Sequence, residues 1–214
     1  MPPPFRNRRD AGQQLATKLA AYAGDPNSII LALPRGGVPV AYEVARALGI
    51  PLDVFVVRKL GVPGHRELAM GAIATGGTRV LNTEVVHTLG ISPMMIEAVA
   101  AQEQRELNRQ EHVFRAGRLA AEVGGRNVIL IDDGLATGST MRAAIAALRQ
   151  SHPARILVAV PVGAIETCDQ LGRETDGVIC LFTPTPFQAV GLSYDNFDQT
   201  TDQEVRALLE GAIA

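Results

Sequence analysis

Val128–Ile131 is a run of four apolar residues that leads straight into two carboxylates, Asp132 and Asp133, and then into a loop of small and hydroxyl-bearing residues. A strand without polar alternation is buried on both faces, as in a parallel sheet covered by helices. Beyond the loop, Met141, Ala144, Ile145 and Leu148 recur at i, i+3, i+4 and i+7, the apolar face of an amphipathic helix. Asp132 and Asp133 therefore sit where a strand ends, and Thr137–Thr140 where a helix begins. The pattern recurs at Ser28–Leu33, a buried strand followed by Pro34-Arg35-Gly36-Gly37 and a helical repeat at Val40, Ala41, Val44, Ala45 and Leu48. Leu52–Val57, Arg155–Pro161 and Gly177–Phe182 read as further strands. Such alternation predicts a doubly wound α/β domain, a parallel central sheet with helices on both faces. In these sheets ligands bind outside the carboxyl ends of the strands.

The turn after Ile131 has readable chemistry. A helix start leaves backbone N–H groups unpaired and carries the positive end of the helix dipole, so it attracts phosphate. Gly138 lets the backbone approach an anion closely, and Thr137, Ser139 and Thr140 add hydroxyl donors. The two aspartates would repel a phosphate and must face something else: sugar hydroxyls, Mg2+, or a developing positive charge. Phosphate at one end and hydroxyls at the other describe a sugar phosphate. A buried strand whose acidic turn merely caps the next helix is the bland alternative. A Walker loop would need Gly-Lys-Ser/Thr, and a dinucleotide fingerprint would need G-x-G-x-x-G after a strand; neither is present.

The thirteen residues Val128–Thr140, VILIDDGLATGST, resemble the phosphoribosyl pyrophosphate (PRPP) signature of the type I phosphoribosyltransferases. The resemblance implies that Asp132 and Asp133 hold the ribose 2- and 3-hydroxyls, and that Ala136, Thr137, Gly138, Ser139 and Thr140 wrap the 5-phosphate. Gly134 departs from the pattern, since many members carry valine or a similar apolar residue there. Beside this motif, Arg35-Gly36-Gly37 resembles the family's pyrophosphate loop, which in some members holds a cis non-proline peptide. Arg58 and Lys59, at the end of LDVFVV, would point into the same crevice from a central strand, with Lys59 the stronger candidate for pyrophosphate. Leu60–Leu68, carrying His65, Arg66 and Glu67, resembles in position the flexible loop that closes over the site, with a hairpin of Met70–Thr75 and Thr78–Asn82 as its stem.

The implied reaction moves the 5-phosphoribosyl group of PRPP to a nitrogen nucleophile, a nucleobase above all, as in nucleotide salvage. Asp132, Asp133, Lys59 and Arg35 would carry the catalysis, and Mg2+ would be held on PRPP oxygens with Asp132 or Asp133 reaching it through water. A non-catalytic regulator that senses PRPP or a nucleotide is the alternative. A small hood from the N-terminal segment and about residues 183–200 would cover the crevice within one domain of residues 1–214, and Phe187 or Tyr194 would stack on the base. Together, Phe5–Arg9, LPRGGVPVA, VVRK and PFQAVGLSY resemble an uncharacterised bacterial branch of the family. Dimers are common among such relatives.

The remaining readings are plainer. Net charge is −2 and no long basic run occurs, which argues against a nucleic-acid binder. Apolar stretches are strand-length, so none spans a membrane, and Met1–Phe5 lacks the apolar core of a signal peptide. Cys168 and Cys180 read as reduced core cysteines, which with the rest suggests a cytoplasmic protein. Pro2–Pro4 reads as a loose start and Asp10 as the N-cap of a first helix. The 92–117 stretch predicts a long helix with a thin apolar stripe, and Ala164, Ile165, Cys168 and Leu171 predict the buried face of another. Thr201-Asp-Gln-Glu204 is a capping box for a last helix with Val205, Leu208 and Leu209 inward.

Overall fold

A computed structural model of the protein describes residues 4–212, and the side chains of all of them except Arg66 and Glu67. Pro2 and Pro3, part of the expected loose start, lie outside the described residues. In chain order the elements are α1 (Arg8–Lys18), β1 (Ser28–Ala32), α2 (Gly37–Leu48), β2 (Leu52–Val54), β3 (Val57–Val62), β4 (His65–Ala74), β5 (Thr78–Leu81), α3 (Thr83–Thr88), α4 (Pro93–Arg115), β6 (Asn127–Ile131), α5 (Ser139–Arg149), β7 (Arg155–Val162), α6 (Ile165–Glu174), β8 (Gly177–Phe182) and α7 (Asp202–Gly211). Among the described residues no helix is long and apolar enough to cross a membrane.

Five strands form a parallel sheet in the order β2-β1-β6-β7-β8. β1 and β6 pair in register, Ile29 beside Val128 and Leu31 beside Leu130. Successive residues of a strand face opposite ways, and here both faces are covered. Ile30 and Ile129 pack with Val40, Val44 and Leu48 of α2 and with Leu209 of α7. Ile29, Leu31, Val128 and Leu130 pack with Met141, Ile145 and Leu148 of α5. That two-sided burial is why these strands carry no polar alternation. The chain runs outward from β1 in one direction through β2 and in the other through β6, so the carboxyl ends of β1 and β6 flank the point where strand order reverses.

Three antiparallel strands, β3-β4-β5, form a second sheet. Here two expectations are corrected. LDVFVV is not one strand: β2 ends at Val54, at the edge of the parallel sheet, and the chain crosses to the second sheet through Phe55 and Val56. The Phe55 amide still donates to Ala32 O at 2.9 Å, whereas the Val56 amide donates to Thr75 Oγ1 at 2.9 Å. Arg58 and Lys59 thus belong to the start of β3, not to the end of a central strand. Leu60–Leu68 is likewise the body of the β3–β4 hairpin, turned at Pro63-Gly64, where Gly64 has φ +81°. The Gly76-Gly77 turn joins β4 to β5 as expected, but as a second hairpin beside the first.

The first helix is capped by Asn7, whose Oδ1 accepts from the Asp10 amide at 3.0 Å; Asp10 lies in the first turn, where its carboxylate accepts from the Arg6 amide. α4 has the predicted thin stripe: Ile96, Ala100, Leu107 and Phe114 are buried. Its Arg115 is buried as well, donating to Glu111 at 2.7 Å, to Asp53 at 3.1 Å and to Val54 O at 2.6 Å. Cys168 and Leu171 of α6 face the core, but Ile165 is 46% exposed because it opens the helix on its outer side. α7 carries the capping box, with Val205 and Leu209 buried and Leu208 packed at the rim.

Candidate active site

The turn from β6 into α5 is an exposed part of the sheet's carboxyl edge. Gly138, at φ +70°, is the N-cap of α5 and makes no side-chain capping bond. The amides of Ala136, Thr137, Gly138, Thr140 and Met141 donate to no acceptor among the described residues, and the Ser139 amide has only Thr137 Oγ1 at 3.4 Å. Ala136, Thr137, Ser139 and Thr140 are exposed, with the Thr137 and Ser139 hydroxyls 3.2 Å apart. Two groups hold the loop from behind: Thr167 Oγ1 donates to Ala136 O at 2.8 Å, and Arg142 donates to Thr137 O at 2.9 Å. Open amides and hydroxyls at a helix start form an anion-binding concavity.

The acidic pair lies at the base of this turn and against the β1–α2 turn. A Cβ on Gly36 would stand 2.0 Å from Asp133 Oδ2, and one on Gly37 would stand 2.7 Å from Ile131 O. Only glycine lets the two turns meet so closely. The Pro34–Arg35 peptide is cis. Asp132 Oδ1 accepts from the Asp133 amide at 2.8 Å. Burial, and then the charge of Asp133, push the Asp132 carboxyl well above the ordinary carboxylate range. Burial also raises Asp133, against which the Arg8 guanidinium pulls downward.

Of the expected cations, Arg35 lies at the same turn and pairs with Asp202, the first residue of α7, at 3.3 Å. Arg58 pairs with Glu103 of α4 at 2.6 Å, while Lys59 is exposed and forms no ion pair among the described residues. Pro34, Arg58, Lys59, Gly64, Glu103 and Thr140 line one cleft of about 670 Å³. The phosphate-type turn, the proline of the β1–α2 turn and both cations of β3 therefore share an opening, with the β3–β4 hairpin as one wall.

A profile of the family described as "Phosphoribosyl transferase domain" matches residues 6–195, which includes both turns, the acidic pair and the cations of β3. The chain belongs to the phosphoribosyl transferase family. The family is one of pentosyltransferase-type enzymes. A Mycobacterium tuberculosis protein named "Putative phosphoribosyl transferase" is 46% identical over 208 residues, covering 97% of this chain and 47% of its own length. The chain thus spans about half the length of the curated relatives it matches at that identity. An orotate phosphoribosyltransferase of Pelotomaculum thermopropionicum is 42% identical over 82 residues, 38% of this chain and 41% of its own. The crystal structure of TT1426 from Thermus thermophilus is 41% identical and superposes with a TM-score of 0.88, each chain covered in full. The doubly wound fold is shared across that whole length.

Against the family pattern, the Thr183–Thr200 segment shows what the sequence left open. Tyr194 does not offer a free ring: it is 4% exposed, 5.4 Å from the Phe5 ring and 4.9 Å from that of Phe197. Its hydroxyl donates to Asp133 O at 2.6 Å. Its burial keeps the phenol protonated well beyond its ordinary range. As a base-stacking platform Tyr194 is therefore corrected to a brace; Phe187 is half-buried against the same cluster. Gly134 is explained by its neighbour: a Cβ there would stand 2.4 Å from Val190 Cγ1, so Val190 fills from a distant loop the space that a side chain at 134 would need.

Arg8 was not singled out from the sequence. Its Nε donates to Asp133 Oδ2 at 2.8 Å, its Nη1 donates to Asp198 O at 2.7 Å, and its guanidinium carbon lies 3.8 Å from the centre of the Phe197 ring. The only hint was its place in the Phe5–Arg9 stretch. Thr167 and Arg142, which hold the phosphate-type turn from behind, had no signal at all.

Proposed function

We propose that this chain transfers the 5-phosphoribosyl group of PRPP to a nitrogen nucleophile, a nucleobase above all, releasing pyrophosphate. The observation that carries the reading is the open rank of amides and hydroxyls at Ala136–Met141, beside an acidic pair that the Gly36-Gly37 turn covers. In this reading the 5-phosphate sits on Ala136, Thr137, Gly138, Ser139 and Thr140, and the ribose hydroxyls face Asp132 and Asp133. Lys59, with Arg35, Gly36, Gly37 and Arg58, takes the pyrophosphate. The bond from ribose C1 to the pyrophosphate oxygen breaks as the bond from C1 to nitrogen forms, pyrophosphate leaves with the electron pair, and the nitrogen gives up its proton to solvent. Positive charge that develops on the sugar is met by the two carboxylates.

Mg2+ fits this donor set. No group of three or more metal-ligating side chains occurs among the described residues, so these residues offer no cage of their own. Mg2+ commonly takes one or two carboxylates, with the remaining positions filled by water and phosphate oxygens. Asp132 and Asp133 are hard oxygen donors of that kind, and when bound the metal would neutralise charge on the leaving pyrophosphate. Arg35 and Arg58 each start from an internal carboxylate partner, so engaging pyrophosphate means sharing the guanidinium with Asp202 or Glu103 or leaving that partner.

The test is pyrophosphate release from PRPP across a panel of nucleobases, with Asp132→Ala/Asp133→Ala as the control. The double variant is expected to release none. Turnover unchanged in that variant would refute the site, and PRPP binding without turnover on any nucleobase would replace the enzyme with a PRPP-binding regulator.

A further inference from the structure

Asp132 and Asp133 are not equivalent. Among the described residues Asp132 accepts a bond only from the amide next to it, whereas Asp133 is held from three separate segments. Arg8 of α1 takes its Oδ2, Tyr194 takes its backbone carbonyl, and the bare Cα of Gly36 leaves the space into which the carboxylate fits. Arg8 reaches Asp133 while itself fixed: its Nη1 is on Asp198 O and its flat face on the Phe197 ring. The side chains of Arg8 and Asp133 are only 12% and 16% exposed. Exposed ion pairs contribute little, but a desolvated pair with a rigid planar donor restricts where the carboxylate can lie.

We propose that Arg8 is a positioning residue of the phosphoribosyl-transfer site: it holds Asp133 in one orientation against Gly36 and ties that orientation to the 194–198 loop. The proposal rests on the reading that Asp133 faces the ribose of PRPP. The three interactions of Arg8 need a fork and a flat face together. A lysine could keep the charge and one hydrogen bond, but not the carbonyl contact and the stacking. Glutamine would lose the charge as well.

Two measurements test it on the full chain. Calorimetric titration of Arg8→Gln and Arg8→Lys with PRPP and Mg2+, below their unfolding midpoints, should show Kd raised at least about tenfold in R8Q. R8K should fall between R8Q and the wild type. With an acceptor in hand, the loss should appear in KM for PRPP more than in kcat. A general loss of folding would not produce that order of variants in protein that remains folded. Unliganded crystal structures of the same variants read orientation directly: Asp133 should leave its place beside Gly36 in R8Q and keep it in R8K. Wild-type affinity in R8Q, or an unmoved Asp133, overturns the proposal. If the wild type itself does not bind PRPP, the phosphoribosyl reading fails, and the crystal structures still decide whether Arg8 sets Asp133. Should R8Q not fold, Phe197→Leu replaces it, removing the ring under the guanidinium; Asp133 unmoved there and PRPP affinity unchanged count against the proposal equally.

Discussion

Gly36→Ala adds one methyl group at the closest approach in the site. Its Cβ would stand 2.0 Å from Asp133 Oδ2 and 2.6 Å from Cγ, separations that folded proteins do not tolerate. The carboxylate is short, so relief cannot come from a flexible side-chain end. It must retreat by about 1 Å or more to reach ordinary contact, or the β1–α2 turn must lift by as much. Retreat stretches the 2.8 Å bond from Arg8, a charge-assisted bond of the kind whose loss costs about 1.5–3 kcal/mol. Lifting the turn instead is overpacking, at about 1–3 kcal/mol. Either way the unfolding midpoint should fall by about 2–12 °C, at the 2–4 °C per kcal/mol usual for a chain this long. A displacement of that size at a reacting group can also lower turnover about a hundredfold. Differential scanning calorimetry and pyrophosphate release read the two effects, and PRPP titration reads any loss of binding. A G36A protein with the wild-type midpoint and wild-type PRPP affinity would refute the close approach of the two turns.

Other expectations follow from neighbouring contacts. Asp132 has its carboxyl pKa raised by burial and by Asp133, so its ionisation costs the folded state more than the unfolded chain. That cost is absent below about pH 4 and grows as pH rises toward the raised value; Asp132→Asn should therefore unfold at a higher temperature than the wild type at pH 7 in metal-free buffer, with the gap closing on acidification. A gap that stays constant with pH would contradict this. Arg115→Ala leaves Asp53 without its buried partner and should cost about 3–5 kcal/mol in denaturant unfolding; a loss under about 1 kcal/mol would place Arg115 at the surface. Gly134→Val should destabilise through its overlap with Val190, and Val190→Gly in the same chain should restore much of the loss. Additive losses in that pair would mean that the two positions do not share space.

The parallel sheet was legible because two-sided burial leaves an unmistakable trace. SIILA and VILI have apolar residues at nearly every position, since alternate side chains enter different cores. The phosphate-type turn was legible for a similar reason: Gly138 and its hydroxyl neighbours are local, and a helix start needs no distant partner to present its amides. LDVFVV misled because hydrophobicity reports burial, not which sheet buries it. Phe55 and Val56 are both buried while the backbone passes from the Ala32 ladder to Thr75. Tyr194 misled in the opposite way, since an aromatic in an irregular stretch can serve a ligand or the core, and only its neighbours decide. Arg8 meets Asp133 across 125 positions, and no spacing rule reaches that far.

Phe5 and Ser193–Asp195 are joined by main-chain bonds, the Phe5 amide donating to Ser193 O at 3.2 Å and the Asp195 amide to Phe5 O at 2.9 Å. Apart from the Gly36 turn, what steadies the second aspartate from outside its own turn is thereby recruited from stretches nearly the whole chain apart. Joining such remote stretches closes a very large loop, an entropic cost added to that of the strand ladder beneath it, whose β1–β6 pairing already joins Ile29 to Val128. The sheet can consolidate while this corner is still open, so competence for chemistry would be acquired as a separate, later event than foldedness. Clipping the backbone anywhere between the last strand and the last helix would then silence the site while leaving most of the secondary structure intact.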